Sequence, residues 1–372
     1  MAESKVYFTD MSNTPSLNLL KKLEKLLMAA GFGEMDLEKK FVALKVHFGE
    51  PGNLAYLRPN FAASVSAMVT GKGGILFLTD SNTLYSGKRS NAPDHLNAAF
   101  SNGYNPLSAG CNVIIADGLK GTEYREIEIN QEYTAKAKIG SAIADADVII
   151  SLNHFKGHEQ TGFGGALKNL GMGCASVGGK LFLHSGNPPQ IYSENCTGCG
   201  MCEENCAYGA VHVKEDMIAF IDTAICTGCG QCIAVCQYDA ARVVWGENSA
   251  ILSKKISEYA LAVVAGKQAL HVNFIMDVSP DCDCWGHNDV PLVSNIGILA
   301  SKDPVALDAA CAHLVMAAPV NHNSRITNAN TDSNLAGTDK FKLTHPATDW
   351  HIALEHGEKI GLGSMSYKLI KV

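Results

Sequence analysis

The sequence predicts an α/β fold, in which a mostly parallel sheet, or sheets, is covered by helices and interrupted by a small inserted domain. Short apolar runs of strand length recur without polar alternation, as expected of parallel strands that are buried on both faces. Polar residues follow each run, at the strand ends where open α/β sheets bind ligands. Eight of the 13 cysteines fall in residues 187–246, which breaks the strand pattern and indicates the insert.

The individual elements follow from these patterns. Six apolar runs are predicted as strands, at 41–46, 75–78, 113–116, 148–152, 272–276 and 296–300. Residues 16–30 are predicted as an amphipathic helix that Ser16 caps and Gly31 terminates. A second helix is expected from Pro304, with Asp303 as its N-cap. One shared site is predicted from the polar residues after the strands, which are His47, Asp80, Ser81, Asn82, Asp117, Asn153, His154, Asp277 and Ser301.

The composition excludes several classes of protein. The chain has 372 residues, of which 47% are apolar and 18% charged, as in an ordinary globular protein. A net charge of −7 argues against nucleic acid as a partner. The polar N-terminus lacks a signal-peptide pattern, and no apolar run approaches the ~20 residues of a membrane helix. We therefore expect a cytoplasmic protein without a membrane partner, in which clustered cysteines suit metal ligation better than disulfides.

The insert, predicted at 187–246, separates a first part of the α/β body (1–186) from a second part (247–372). It contains two runs with the spacing Cys-x2-Cys-x2-Cys-x3-Cys. Three thiolates of such a loop wrap one [4Fe–4S] cluster, and the fourth serves the other cluster in two-cluster ferredoxins. Zinc ligation and disulfide bonds are the alternatives. The cysteine spacing disfavours zinc, and the reducing cytoplasm disfavours disulfides. One predicted cluster has the ligands Cys196, Cys199, Cys202 and Cys236, and the other has Cys226, Cys229, Cys232 and Cys206.

The two halves of the insert share the run Cys-Thr-Gly-Cys-Gly, at 196–200 and 226–230, and resemble the internal repeat of bacterial ferredoxins. The resemblance implies an α+β ferredoxin-like module that transfers single electrons. The usual proline after the fourth cysteine is replaced by Ala207 and Gln237, which leaves the ligands in place. Seven acidic residues against two basic ones favour docking of a basic redox partner such as a ferredoxin, a flavodoxin or an oxidoreductase. A merely solvated acidic face is the alternative.

A glycine-rich segment, 153–184, follows the fourth predicted strand and is unlike the two common nucleotide-binding loops. Its glycines would let backbone amides approach a ligand, and a helix N-terminus here would hold an anion. The candidate cofactor-binding residues are Gly162, Gly164 and Gly165. The basic side chains offer proton transfer, metal ligation or a charge for a small anionic substrate, although each also has a structural alternative. These candidate catalytic residues are Lys156, His158, Lys168 and His184.

Much of the chain resembles the iron–sulphur centre proteins of the domain of unknown function 362 family that carry a ferredoxin module. The match lies on both sides of the insert and therefore implies a shared architecture, but the family supplies no reaction. The matching stretches are Lys-Val-His-Phe-Gly-Glu-Pro-Gly-Asn at 45–53, Asp-Ser-Asn-Thr-Leu-Tyr at 80–85, the segment 153–174, Asp-Cys-Asp-Cys at 281–284 and Ser-Lys-Asp-Pro-Val-Ala-Leu-Asp at 301–308.

A second, local resemblance is to the nickel-pincer lactate racemases, which lack a ferredoxin insert. It rests on the motif His158-x3-Gly162-Phe163-x-Gly165-x2-Lys168. The resemblance implies that His158 transfers a proton, that Lys168 carries a pincer nucleotide and that His184 ligates nickel. A second proton-transfer histidine has only the candidates His47 and His95. The match supports a shared scaffold and pocket better than a shared reaction, so the pincer nucleotide is kept as an alternative.

The pair Cys282 and Cys284 follows the predicted strand 272–276 and is flanked by acidic residues. Two thiolates in this position would reach one soft metal ion or a third cluster, and two inert thiols in a turn are the alternative. Further ligands would come from Cys174, His184 and His287. The remaining cysteines, Cys111 and Cys311, lie in apolar contexts and are predicted to belong to the core.

Together these patterns favour a cytoplasmic iron–sulphur redox protein, whose insert passes single electrons to or from a site at the strand ends. Two alternatives stay open. One is an electron carrier or maturation protein without catalysis of its own. The other is a racemase-like or isomerase-like enzyme whose metal cofactor is anchored on a lysine.

Overall fold

The computed structural model describes residues 3–85, 87–184, 188–226, 228, 230–244, 248–329 and 335–372. Its strands are β1 (Ser4–Asp10), β2 (Phe41–Val46), β3 (Ile75–Asp80), β4 (Asn112–Ile115), β5 (Tyr124–Glu128), β6 (Lys136–Gly140), β7 (Val148–His154), β8 (Lys156–His158), β9 (Gly162–Gly164), β10 (Gln190–Ile191), β11 (Val211–Val213), β12 (Ala219–Ile221), β13 (Ala241–Arg242), β14 (Gln268–Ile275), β15 (Gly297–Ser301) and β16 (Tyr367–Lys371). Its helices are α1 (Leu19–Ala29), α2 (Pro59–Gly71), α3 (Ala92–Ser101), α4 (Pro106–Ala109), α5 (Ser141–Asp145), α6 (Ala166–Gly171), α7 (Val177–His184), α8 (Met201–Glu204), α9 (Gln231–Val235), α10 (Ser249–Val264), α11 (Pro304–Ala317), α12 (Arg325–Ala329), α13 (Lys340–Thr344) and α14 (His351–Lys359).

A large central sheet forms the body of the protein. Within the described ranges its strand order is β16-β1-β15-β14-β7-β2-β3-β4. Strand β15 is antiparallel to both of its neighbours, whereas the other pairs are parallel. The predicted runs are β2, β3, β4, β7, β14 and β15, so the prediction of a mostly parallel sheet is confirmed. Strands β1 and β16 were not predicted, because both are partly exposed and lack a continuous apolar run. Strand β16 forms the edge of the sheet, and β1 lies next to it.

Helices cover both faces of this sheet, as the sequence predicts. Successive residues of β2 enter different cores, because side chains alternate across a strand: Val42 and Leu44 lie in one core and Ala43 in the other. The first core includes residues of α1 and α2, and the second includes residues of α6, α10, α11 and α14. No helix in the described part of the chain is both long enough and apolar enough to cross a bilayer.

The two predicted helix caps had different outcomes. Helix α1 is capped by Asn18, whose side-chain oxygen accepts from the Lys21 amide at 3.0 Å, so the prediction of Ser16 as the cap was wrong. The helix therefore begins at Leu19 instead of directly after Ser16. Asp303 caps α11 as predicted, since its carboxylate accepts from two amides of the first turn at 2.9 Å.

Residues 188–244, between α7 and α10, form small paired elements of their own. Strand β10 pairs with β13 near the two ends of this region, and β11 pairs with β12 in its middle. A separate apolar core lies between them, and cysteine side chains pack against it. The insert bounds at 187–246 stay a prediction, since 185–187 and 245–247 lie outside the described residues.

Candidate functional site

A cavity of about 530 Å³ lies at the carboxyl ends of β2, β3 and β7. Its size is typical of a site for a small organic molecule or cofactor. Four of the strand-end residues that the sequence groups together lie on its wall: His47, Asp80, Ser81 and His154. The arrangement of parallel strands explains this convergence, because their carboxyl ends meet at the same edge of the sheet.

Other strand-end residues do not reach the cavity. The buried Asn82 donates to the Asp117 carboxylate at 2.9 Å, and neither side chain is part of the wall. Ser301 lies at the opposite end of the sheet, because β15 is antiparallel, and its hydroxyl donates to the Lys5 carbonyl. Asp277 lies in a turn and is partly exposed outside the cavity. Asn153 is buried and is not on the cavity wall either. The expectation of one site formed by all strand ends was therefore wrong for these five residues.

The predicted basic residues Lys156, His158, Lys168 and His184 all line the cavity. The Lys168 ammonium lies 3.4 Å from the Cys282 sulphur, and the Cys284 amide donates to the same sulphur at 3.4 Å. A hydrogen bond from Cys284, together with Lys168, holds the pKa of the Cys282 thiol well below its usual value. Burial disfavours the charge on Lys168, but the neighbouring Cys282 raises its pKa. The two groups therefore form a thiolate–ammonium pair.

The two histidines beside this pair are neutral. His158 accepts from the Gln160 and Thr161 amides at Nδ1, which assigns its proton to Nε2. Burial and the charge of Lys168 lower the pKa of His158. The same two causes lower the pKa of His184 to about 3. Both rings are thus available at neutral pH as unprotonated bases or as N–H donors.

Helix α6, which carries Lys168, is held in place by Asp308 on α11. The Asp308 carboxylate accepts from the Ala166 amide at 2.7 Å and from the Leu167 amide at 2.9 Å. Burial raises the pKa of Asp308 to about 6. The sequence analysis expects a helix N-terminus in this segment to hold an external anion. At α6 a carboxylate of the chain itself takes that position, so the expectation was wrong there.

The candidate glycines Gly162, Gly164 and Gly165 are not on the cavity wall. A Cβ at Gly165 would collide with the Asp308 carboxylate, so a side chain would separate this loop from α11. A Cβ at Gly164 would lie 3.2 Å from the Lys168 side chain. These glycines permit close packing beside Lys168, which is the structural alternative considered for them from the sequence.

Several buried charged residues at the cavity were missed by the sequence analysis. Lys45 pairs with Asp80 at 2.9 Å, and both side chains are almost fully buried. Arg89 pairs with Glu50 at 2.7 Å. The sequence could have indicated the role of Lys45, because a lysine inside an apolar strand requires a buried partner. Lys180, which also lines the cavity, lies on α7 without such a signal.

Two small cavities in the insert are lined by cysteines. Cys196, Cys199, Cys202 and Cys236 line one small cavity, and Cys206, Cys226 and Cys232 line a second. Cys229 lies outside the described residues. Backbone amides donate to the sulphurs of Cys196, Cys206 and Cys236 over 3.2–3.4 Å. The glycines of the two loops also repeat each other, with φ of 66° at Gly198 and 65° at Gly228.

No group of three or more His, Cys, Asp or Glu side chains in the described part of the chain converges on a single metal ion. Cys282 and Cys284 offer two thiols at the main cavity. Of their predicted helpers, Cys174 is buried in the core and His287 is exposed.

Gly230 and helix α9, which we call the second cysteine loop, pack against helix α7, which forms part of the wall of the main cavity. Ile233 and Ala234 of α9 contact an apolar cluster that contains Val177 and Leu181 of α7. A Cβ at Gly230 would lie 3.3 Å from the Gly178 Cα, so the two backbones approach closely. Helix α7 ends at His184, which lines the cavity. One helix thus separates the second cysteine loop from the candidate site.

Comparison with known families identifies the chain. The family model described as Domain of unknown function (DUF362) matches residues 42–313, and the protein therefore belongs to this family. No curated protein matches the sequence.

Two solved structures are similar over much of the chain. The lactate racemase apoprotein from Thermoanaerobacterium thermosaccharolyticum is 12% identical with a TM-score of 0.37, over 74% of this chain and 51% of that one. A protein from Thermotoga maritima is 13% identical with a TM-score of 0.34, over 71% of this chain and 52% of that one. The chain spans about half the length of each.

Proposed function

We propose that the protein is a cytoplasmic iron–sulphur oxidoreductase, whose residues 188–244 hold two [4Fe–4S] clusters that exchange single electrons with a ligand in the main cavity. The observation that carries this proposal is the packing of α9 against α7. Helix α9 contains Cys232, one of the second set of ligands, and α7 ends at His184 on the cavity wall. Electron transfer between the two sites would need no rearrangement of the domains.

The cysteine cavities support the proposed clusters. The described members of each proposed ligand set face one small cavity, and amide N–H groups point at three of the sulphurs. Such hydrogen bonds stabilise thiolates and tune cluster potentials. When bound, the clusters would supply single electrons. A basic one-electron donor, such as a ferredoxin or flavodoxin, would dock on the acidic insert.

The cavity residues would act on the ligand by charge and by proton transfer. Lys168 provides a fixed ammonium that stabilises negative charge on a ligand that gains electrons. His158 carries its proton on Nε2 and is placed to donate it. Because the Lys168 amine is held as an ammonium beside Cys282, a fixed charge suits this residue better than the covalent anchor of a pincer nucleotide.

The proposal is tested with anthraquinone-2-sulphonate, an anionic electron acceptor that is smaller than the cavity. Anaerobic holoprotein is reduced with dithionite, freed of excess reductant and mixed with the probe, and cluster reoxidation is followed by absorbance. We expect saturable reoxidation. Met172 lines the cavity, so Met172→Trp fills it and should slow this reaction at least tenfold.

Two controls define the outcome. Met316→Trp places the same ring outside the cavity and should leave the rate unchanged. Methyl viologen, a dication that takes electrons at the surface, should react equally with all variants. If the probe reoxidises Met172→Trp as fast as the unmodified protein, the cavity is not the site of electron transfer and the proposal fails.

A further inference from the structure

Among the described residues, four cationic side chains line the cavity, and three of them already face an acidic partner. These pairs are Arg89 with Glu50 at 2.7 Å, Lys156 with Asp283 at 3.5 Å and Lys168 with Cys282 at 3.4 Å. The fourth cation, Lys180, is the exception. Because a buried charge is costly without a partner, Lys180 marks the place where a ligand would supply a negative charge.

Lys180 is buried, with 7% of its surface exposed, and it lines the cavity. Its ammonium donates to the Ala175 carbonyl at 2.6 Å. An ammonium has three N–H donors, so two remain after this bond. In the ranges that the structure describes, no carboxylate lies within the 4.0 Å of an ion pair from this nitrogen, although the buried Asp117 attracts it from farther away.

A second observation concerns the same cavity. Ser81, at the end of β3, lines the cavity and is only 2% exposed. Its hydroxyl has no hydrogen-bond partner among the described residues. A buried hydroxyl left unpaired costs about 1–3 kcal/mol, which a ligand that accepts its proton would recover. The neighbouring Asp80 does not oppose an anion strongly, because Lys45 neutralises it at 2.9 Å.

We propose that Lys180 and Ser81 bind the anionic group, a carboxylate or a phosphate monoester, of the molecule that the cavity takes. The rest of that molecule lies against the apolar side chains of Met172, Leu252 and Ile256, toward Lys168. The assignment of this molecule as the redox substrate rests on the proposed function, whereas its binding does not.

The test is isothermal titration calorimetry of the anaerobic holoprotein at pH 7 with redox-inert probes. Benzoate and phenyl phosphate carry the two anionic groups, and benzamide is the neutral isostere of benzoate. We expect at least one of the two anions to bind tenfold or more tightly than benzamide. The anion that binds more tightly shows whether the site prefers a carboxylate or a phosphate monoester. Lys180→Met should weaken that anion at least tenfold, and Ser81→Ala about threefold. Benzamide should be unaffected.

The matched control is Lys255→Met, because Lys255 is another buried lysine that donates to a carbonyl, that of Phe182 at 3.0 Å, but lies outside the cavity. It should bind the anion normally. Lys180→Arg keeps the charge and covers the case in which Lys180→Met does not fold. Equal binding of benzoate, phenyl phosphate and benzamide, or unchanged anion binding in Lys180→Met, overturns the proposal. None of these probes accepts electrons, so failure here leaves the proposed electron transfer standing, and the reverse also holds.

Discussion

Lys168 and Cys282 are separated by 114 positions in sequence, yet the Lys168 ammonium, on the cavity wall, lies 3.4 Å from the Cys282 sulphur. Each would be costly in isolation, and each stabilises the charge of the other. The pair brings together the glycine-rich segment and the Cys-x-Cys segment, which the sequence singles out on separate grounds.

Replacing Lys168 should make the Cys282–Cys284 thiols less acidic. The ammonium favours the thiolate, so Lys168→Met should raise the pH of half-maximal alkylation by about one unit. The measurement is anaerobic labelling with iodoacetamide across a pH series, followed by mass spectrometry of the peptide that contains both cysteines. Lys168→Arg should behave like the unmodified protein, and the remote Cys111 serves as an internal reference. An unshifted profile in Lys168→Met would contradict the ion pair.

The insert should hold two clusters, and their ligands should be separable by mutation. Anaerobic protein is expected to contain about eight irons and eight labile sulphides per chain. Cys196→Ser should lower both numbers by about half, whereas Cys311→Ala, in the buried core, should change neither. Iron well above eight that falls when Cys282 and Cys284 are replaced by Ser would assign a third metal site to that pair. Zinc without labile sulphide would refute the clusters.

The contact between α9 and α7 should control electron transfer to the cavity. Ile233→Asp introduces a charge into the apolar interface and should slow reoxidation by anthraquinone-2-sulphonate about tenfold. Iron content, measured first, should be unchanged. Phe220→Asp makes a similar change on the exposed surface of the insert and should leave the rate alone. Equal rates in the two variants would show that this interface does not lie on the route.

Anion binding in the cavity should depend on pH through Lys180. Burial lowers the pKa of this lysine to about 8, and its neighbours Asp117 and Asp80 oppose that shift, while Lys45 adds to it. The ammonium is present below this pKa and is lost above it. The affinity for the preferred anion should therefore fall up to tenfold per pH unit above pH 8, while benzamide binding stays constant. Calorimetry at pH 7, 8, 9 and 10 measures this, and a flat profile would argue against Lys180 as the anion ligand.

The buried pair of Lys45 and Asp80 should be important for stability. Lys45→Met leaves the Asp80 carboxylate buried without its main partner, a change that costs about 3–5 kcal/mol. The thermal unfolding midpoint, scanned anaerobically at a fixed rate, should fall by roughly 5 °C. The double variant Lys45→Met/Asp80→Leu removes both charges and should recover most of the loss. A midpoint that is unchanged in the single variant would disprove this role.

The sequence predicts the parts of this molecule that depend on local pattern. The buried strands were found because parallel strands covered on both sides are continuously apolar, as β7 is. Lys168 and His158 were found because they belong to a short motif. Lys180 and Asp308 were missed, because their roles depend on tertiary contacts. Lys180 reaches the cavity from α7, and Asp308 reaches the N-terminus of α6 across 142 positions.

The apolar contact that joins the second cysteine loop to α7 also limits how freely the insert could be replaced by the corresponding segment of a different protein. A graft made at the two chain junctions alone would leave Val177 and Leu181 exposed to water and would remove the close backbone approach at Gly178. A working chimera would need Gly230, Ile233 and Ala234 transferred with the cysteines. The α/β body and the insert therefore depend on each other for packing, and recombination that exchanged the insert alone would disrupt their interface.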